Sequence, residues 1–350
     1  MVSRRICICP FAILTRNSGD ATLDNTIKTI LIQCVLIESM AGKRFRMRAV
    51  KRYPVAALLV LCFVWSLGSL RIDLLPALDN HALPPMEKQA LPFGWLAITA
   101  SLFAIANRRQ WPNVRQIRSA ILIGLGLFVA PALLVSLSNQ GISELTRVAL
   151  FSLVPVFTVV LEPHIAGPTG QQRRGALIAA LLAVGGTLCI FQADVPSSIS
   201  AAGAFGAVVL AAACVATASC FAAKAAAEMP ITMMSAIAGA TALVCFAGLG
   251  PVLEREAWTG RGIGPEMAWS AAVGLPGLLL LFWLLPRMSA ARMTTRFVLA
   301  PLITALFGVI LFRAEISLRA LLGLLLVSTG AGWLLFAPDE EPDGTSLRLN

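Results

Sequence analysis

The chain is poor in charged residues and in histidine. Asp, Glu, Lys and Arg make up 13% of its 350 residues, against about 25% in a soluble domain. His81 and His164 are its two histidines, and both fall in predicted loops, so a proton relay built on histidine is not expected. A lipid-modifying enzyme would need paired carboxylates, a histidine base or metal ligands near the interface, and no such cluster occurs.

The eight cysteines lack the spacing of a metal site. The sequence has no CxxC and no His-Cys cluster, whereas metal sites need closely spaced ligands. Nucleotide binding is not expected, because no segment matches GxxxxGK[ST]. Closely spaced glycines instead favour close packing between helices: Gly124 and Gly126, Gly185 and Gly186, Gly203 and Gly206, Gly330 and Gly332.

Apolar residues, by contrast, make up 57% of the chain, which is more than a soluble domain of this size can bury. The formal net charge is +10, but the basic residues lie between apolar runs. They are therefore interpreted as topology signals rather than as a nucleic-acid surface, and no nucleic-acid partner is expected. The chain is predicted to be an all-α protein of the lipid bilayer.

Ten apolar runs are long enough to predict ten transmembrane helices. The predicted spans are 54–70, 90–106, 119–137, 143–161, 175–191, 201–223, 231–249, 267–286, 293–312 and 317–337. Lys and Arg are concentrated in alternate loops, so both termini are expected to be cytoplasmic. Residues 1–50 form a basic leader, with Met40 or Met47 as alternative starts, and residues 338–350 form an acidic tail.

One apolar pattern occurs twice. Residues 142–191 and 288–336 each have a small polar start, a long apolar helix with a proline, a short break and a glycine-containing apolar helix. The predicted repeats cover residues 53–191 and 201–337. Five helices per repeat require the second copy to be inverted in the membrane, an arrangement that suits alternating access.

The motifs of both halves resemble the EamA-type members of the drug/metabolite transporter superfamily. The second half carries Gly274-Leu-Pro-Gly277, Phe282-Trp-Leu-Leu-Pro286, Met288-Ser-Ala-Ala-Arg292, Leu299-Ala-Pro301, Gly308, Ala314-Glu315, Gly323 and Gly330. The first half carries Trp65-Ser-Leu-Gly68, Ser138-Asn139, Leu153-Val-Pro155, Gly175 and Gly185-Gly186. Together they cover about residues 53 to 337.

The resemblance implies a ten-helix bundle with a central cavity lined mainly by helices 1, 3, 4, 6, 8 and 9. Small organic metabolites or drugs are exported or exchanged there, and no cofactor is implied. The expected setting is a bacterial inner membrane, and a homodimer is left open. One departure is that Thr169 stands where Glu315 stands in the second repeat. This puts a charge-based mechanism in doubt.

Two cations within the predicted spans are candidate substrate-binding residues. Arg147 in helix 4 would hold an anionic group, or it would pair with Glu144 or extend to the interface. We expect Arg147→Ala to abolish transport of an anionic or zwitterionic solute. Arg296 begins helix 9, four residues after Arg292. Both are expected to point the same way, either to the cytoplasmic interface or to a solute.

The remaining candidates are prolines, aromatics and small polar groups. Pro155 and Pro301 are predicted to kink helices 4 and 9 at matching places, freeing a carbonyl for a solute or only shaping the packing. Trp65, Ser66 and Trp283 suit a pore for an amphipathic solute, although Trp also anchors interfaces. Asn139 belongs either to the pore or to a tight turn with Gln140 and Gly141.

A secondary transporter is the function that the sequence favours, with protons or an exchanged solute as the coupling partner. Glu144 is the only acidic residue within a predicted span, so a dedicated proton relay is not favoured. The alternatives are an integral-membrane lipid-modifying enzyme and a non-transporting membrane scaffold or sensor.

Overall fold

The fold is that of a computed structural model, which describes residues 53–74, 83–107, 111–138, 141–166, 173–191, 196–254, 263–312 and 317–336. These all belong to one compact unit, residues 48–350. The leader, the acidic tail, Asn139 and Gln140 lie outside the described residues.

Every regular element among the described residues is helical, and all ten predicted helices are present. They are α1 Tyr53–Leu74, α2 Pro85–Ala106, α3 Val114–Ser138, α4 Glu144–Ile165, α5 Arg173–Phe191, α6 Ile199–Glu228, α7 Ile231–Glu254, α8 Ile263–Leu284, α9 Ala290–Leu311 and α10 Leu318–Phe336. The all-α class is therefore confirmed. Several helices begin or end about five residues beyond the predicted bounds, because polar residues at their ends continue the helix.

The helices are built to face lipid. Within the described residues, α2 to α10 are each long and apolar enough to cross a membrane, and α1 has the shorter apolar stretch Tyr53–Gly68. Only 33–44% of the most apolar stretch of each of the nine is buried inside the protein. Large apolar side chains cover the outside, such as Leu137, Val244 and Ile310. In water such a surface would aggregate, whereas in a bilayer it is solvated.

The third helix of each half contains a π-helical turn. In α3 it spans Leu125–Val129, and in α8 it spans Ser270–Gly274. A proline stands two residues after each turn, at Pro131 and Pro276. Proline lacks an N–H and its ring crowds the carbonyl four residues earlier, so the backbone widens just before it.

The fourth helix of each half is interrupted. The first segment of α4, Glu144–Phe151, ends in a turn before the second segment, Val154–Ala166. Pro155 thus lies at the start of the second segment, and the expected kink in mid-helix is wrong for it. The physical reason is that its ring excludes an α-helical carbonyl at Phe151, so the helix stops there. Pro301, by contrast, lies inside the helical segment Arg296–Phe312.

In α9 the interruption falls at Thr295, between the segments Ala290–Thr294 and Arg296–Phe312. Each interrupted helix begins with a serine cap: Ser143 Oγ accepts the N–H of Thr146, and Ser289 Oγ accepts that of Arg292. Such caps satisfy N–H groups that the first helical turn leaves without a partner.

Some of the paired glycines bring helices into close contact. A Cβ on Gly186 would lie 2.6 Å from the Gly323 carbonyl oxygen, and one on Gly330 would lie 2.5 Å from that of Ala179, so α5 and α10 meet backbone to backbone. Gly124 of α3 packs similarly on α7, where a Cβ would lie 2.7 Å from Ala238 O. Gly126 packs less closely on α6, where a Cβ would lie 3.0 Å from the Cβ of Ala218. The prediction of close packing is wrong for the other four glycines, which have open space where a Cβ would lie: Gly185, Gly203, Gly206 and Gly332.

Four phenylalanines join the middle of the bundle. Phe93 of α2 lies 4.7 Å from Phe128 of α3 and 5.6 Å from Phe246 of α7, measured between ring centroids. Phe128 lies 6.2 Å from Phe282 of α8. Because such pairs stabilise beyond the area they bury, this cluster connects helices of both halves.

Candidate functional site

Several of the predicted site residues meet where α1 packs against α9. Trp65 and Ser66 come from α1, and Arg296 and Pro301 come from α9. Phe297 of α9 and Phe151 of α4 extend the cluster, with their rings stacked at 6.1 Å. The site therefore combines one cation, three aromatic rings and a hydroxyl at a junction of the two halves of the chain.

Arg296 is the centre of this cluster. Its side chain is only 2% exposed. Its guanidinium carbon lies 4.6 Å from the ring centroid of Phe297 and 5.5 Å from that of Trp65. Nη1 donates to the Met293 carbonyl at 3.2 Å, and Nε is buried without a hydrogen-bond partner. Among the described residues, no carboxylate pairs with this cation.

The surroundings of Arg296 offset only part of the cost of burying it. A cation at the centre of a membrane helix costs about 2.5–3.5 kcal/mol. A cation–π contact returns about 0.5–2 kcal/mol. The guanidinium carries five N–H donors, however, and an unsatisfied buried donor costs about 1–3 kcal/mol. The described residues therefore leave Nε of Arg296 short of an acceptor.

Arg292 and Arg296 lie in different surroundings, which corrects the expectation that they point the same way. Residues four apart share a face only in a continuous helix. The turn at Thr295, where Thr295 N–H bonds to Arg292 O and Val298 N–H to Thr295 O, separates the two arginines. Arg292 lies half-buried near the Glu162 carboxylate of α4, whereas Arg296 is stacked on α1.

Ser66 joins α1 to α9 by a hydrogen bond. Its Oγ lies 2.9 Å from the Ala300 carbonyl oxygen and 2.8 Å from the Cys62 carbonyl oxygen within α1. The single hydroxyl proton is shared between these acceptors. Thr304 Oγ1 also donates to Ala300 O, at 3.0 Å. The carbonyl oxygen of Ala300 thus accepts from hydroxyl groups of both helices.

Trp65 depends on a glycine in α8 for its position. A Cβ on Gly277 would lie 2.9 Å from Trp65 Nε1, so only glycine leaves room for the indole here. The guanidinium of Arg296 also lies near the indole of Trp65. Trp65 therefore contacts both α8 and α9.

Of the remaining predicted site residues, two belong to α4 and one belongs to α8. Arg147 is half-buried in the first turn of α4. Trp283 is in the last turn of α8, where the exposed Arg287 stacks over its indole at 4.0 Å and donates to its carbonyl. Pro155 is buried just after the break in α4. Asn139 lies outside the described residues.

Glu162 is a polar residue that the sequence interpretation placed outside the spans. It lies within α4, and its carboxylate accepts the N–H of Ala290 at 3.0 Å and of Ala291 at 3.2 Å, at the start of α9. Glu144 is therefore not the only acidic residue within a span. Local hydropathy could not find this bond, because the two partners are 128 residues apart.

A separate cavity of about 550 Å³ lies between α3 and α6. Its walls are mostly apolar and include the exposed side chains of Leu122, Leu210 and Phe221, so it opens toward lipid. Arg115, Lys224 and Glu228 lie at one end. There Gln116 Nε2 donates to the Glu228 carbonyl oxygen at 2.8 Å, which holds the start of α3 against the end of α6.

Comparison with known proteins identifies the second half of the chain. Residues 202–336 match the EamA-like transporter family. A solved structure titled only "Crystal structure of protein" aligns with a TM-score of 0.65 and 16% sequence identity, over 82% of this chain and 99% of that chain. This likeness concerns the fold alone. No curated protein matches the chain. The resemblance seen in the sequence is confirmed over this segment: the chain is a multi-pass membrane protein in which residues 202–336, from α6 to α10, match the EamA-like transporter family.

Proposed function

We propose that the chain is a secondary transporter that exports or exchanges small organic metabolites or drugs by alternating access. The family match of residues 202–336 supports the transporter class. The finer claim requires two structurally equivalent halves that rock about a shared site. The observation that carries it is that the described helices pair in a pattern that is unchanged when the halves are exchanged.

The pairing of the helices supports this two-fold relation. Helix α2 packs on α7, and α5 packs on α10, so each helix contacts its own counterpart five helices later. The contact of α4 with α6 has its counterpart in that of α9 with α1, and the contact of α3 with α6 in that of α8 with α1. An odd number of helices per half makes the relation an inverted one.

The irregularities of the helices support the same relation. The π-helical turns of α3 and α8, each followed by a proline, are equivalent by position, and so are the interruptions of α4 and α9. Broken helices are tolerated in a bilayer where they are buried in protein or line a cavity. The cluster of Trp65, Ser66, Arg296 and Pro301 adjoins one of these breaks and is the proposed solute site.

The proposed setting is a bacterial inner membrane with both chain ends in the cytoplasm. Arg115 and Lys224 line the same end of the α3–α6 cavity, which agrees with basic residues collecting on one side of the membrane. The proposed partners are the bilayer and a small-molecule solute. A homodimer is compatible with this arrangement.

Flux through reconstituted vesicles tests the proposal. The purified full chain is placed in vesicles preloaded with a library of labelled metabolites, and protein-free vesicles serve as the control. We expect protein-dependent flux of at least one solute. Absence of flux together with turnover of a lipid would establish the enzyme alternative, and absence of both would favour a scaffold or sensor.

A crosslink gives a matched test of alternating access. Glu162→Cys and Ala290→Cys, in a background with the native cysteines replaced, are chosen to join α4 and α9 by a disulfide where the Glu162 carboxylate contacts the Ala290 N–H. We expect oxidation to stop flux and reduction to restore it, while each single cysteine variant is insensitive to oxidant. Flux that continues in the oxidised double variant contradicts rocking of the two halves.

A further inference from the structure

We infer that Arg296 is the anion-binding residue of the transported solute, and that the solute class is therefore small organic molecules carrying a carboxylate or a comparable anionic group. This rests on the proposed transport function and adds the substrate chemistry to it. The side chain is 2% exposed, its Nε has no hydrogen-bond partner, and none of the described carboxylates pairs with it.

The surroundings of Arg296 suit a planar anion. The guanidinium carbon lies 4.6 Å from the ring centroid of Phe297 and 5.5 Å from that of Trp65, and Nη1 donates to the Met293 carbonyl. A guanidinium is planar, so its N–H donors point along its edge. That edge is the part of a guanidinium that binds a carboxylate by two parallel hydrogen bonds.

The position of Arg296 suits coupling of binding to movement. It begins the second segment of α9, directly after the turn at Thr295, and its ring partner Trp65 belongs to α1 in the other half of the chain. An anion that draws the guanidinium away from Trp65 would loosen the contact of α1 with α9. A residue with only a packing role would not need a charge at this position.

The structural alternative makes an opposite prediction about stability. If Arg296 only stabilises the fold through its cation–π contacts, its replacement lowers the melting temperature of the unliganded protein. If Arg296 binds an anion, its buried charge destabilises the protein when no anion is bound. A neutral replacement then raises the melting temperature or leaves it unchanged. Arg296→Gln and Arg296→Met distinguish these cases without any knowledge of the solute.

Binding is tested with pairs of compounds that differ only in charge. The probes are 3-phenylpropionate, succinate and L-phenylalanine, each with its neutral amide counterpart, added to the purified full chain in detergent. We expect at least one carboxylate, but not its amide, to raise the melting temperature of the wild-type protein. In Arg296→Gln this carboxylate should bind about tenfold to a hundredfold more weakly.

Two further variants complete the design. Arg287→Gln is the matched control, because Arg287 also stacks on a tryptophan, at 4.0 Å, but is exposed; its carboxylate response should equal the wild-type response. Arg296→Lys keeps the positive charge, and it replaces the neutral variants in the binding test if those do not fold. It should keep the preference for carboxylate over amide at weaker affinity.

The inference is overturned if no carboxylate stabilises the wild-type protein, if Arg296→Gln responds as the wild type does, or if Arg296→Lys shows no preference for carboxylates. Flux measurements separate this failure from failure of the proposed function. A wild-type protein that transports neutral solutes, with no effect of Arg296 variants, is a transporter without this anion site. A protein that binds carboxylates through Arg296 but transports nothing has the site without the function.

Discussion

The carboxylate of Glu162, near the end of α4, accepts the backbone N–H of Ala290 at the start of α9, at 3.0 Å. The second carboxylate oxygen accepts the N–H of Ala291 at 3.2 Å. A side chain of one half thus satisfies donors that the first turn of a helix in the other half leaves without partners. In the proposed topology this link lies on the cytoplasmic side, where it closes the contact of α4 with α9.

We expect Glu162→Ala to destabilise the protein by about 0.5–2 kcal/mol, the cost of losing a helix cap. Glu162→Gln should cost less, because its amide oxygen still accepts one of the two N–H groups. Thermal unfolding in detergent measures both. Glu144→Ala serves as the control, since Glu144 is exposed in the first turn of the same helix. Equal melting temperatures for the two alanine variants would show that the cap contributes nothing.

The contact of α5 with α10 offers a test with adjacent residues. Gly186→Ala places a methyl group 2.6 Å from Gly323 O and from Val327 N, both of which are backbone atoms. We expect a destabilisation of about 1–3 kcal/mol, as for other overpacked sites. Gly185→Ala meets nothing within 4 Å and should be neutral. Thermal unfolding measures the stability of both variants. Equal melting temperatures would contradict the close packing of α5 on α10 at Gly186.

The hydrogen bond from Ser66 to Ala300 should matter more for transport than for stability. Interhelical hydrogen bonds in membranes contribute about 0.6 kcal/mol on average, so Ser66→Ala should unfold almost as the wild type does. We expect its rate of flux to change, because the bond joins α1 to α9 beside the proposed site. Thr304→Val is the control, since Thr304 bonds the same carbonyl from within α9. A larger effect on flux in the Thr304 variant would argue against this role.

Arg147 and Arg296 are competing candidates for binding the anionic group of the solute. The sequence alone led us to expect that Arg147→Ala abolishes transport of an anionic or zwitterionic solute. With Arg296 fully buried and Arg147 half-buried in the first turn of α4, we expect Arg147→Ala to reduce the flux of carboxylates less than Arg296→Gln does. Flux of a labelled carboxylate measures both variants, and the reverse order would move the anion site to Arg147.

The helices could be predicted from the sequence because each one is a local property. A run of about 20 apolar residues determines its own structure in lipid, where every backbone group must be bonded within the segment. The sequence could predict that the helix is distorted near Pro155, but not that it is interrupted there. The sequence predicts a distortion at the proline, whereas the neighbouring helices decide whether the helix continues through it, as at Pro301, or stops.

The candidate site was predictable only in part. The sequence singled out Trp65, Ser66, Arg296 and Pro301, which come together. It also singled out Arg147, in the first turn of α4, and Trp283, whose indole stacks with Arg287. Charge within an apolar run identified both arginines, but it carried no information on their burial. Glu162 was placed outside its span, because its polar character suggested a loop and its N–H partners belong to another helix.

The sequence by itself therefore determined that this is an all-helical membrane protein with ten apolar helices and the motifs of a transporter family. Hydrophobic length and proline act within a single segment, so no packing information is needed to interpret them. The tertiary structure alone decided which cation is enclosed, which carboxylate caps a distant helix and which glycines carry close contacts. Those outcomes depend on residues as far apart as Ser66 and Ala300, 234 positions along the chain, which only the packing of the bundle brings together.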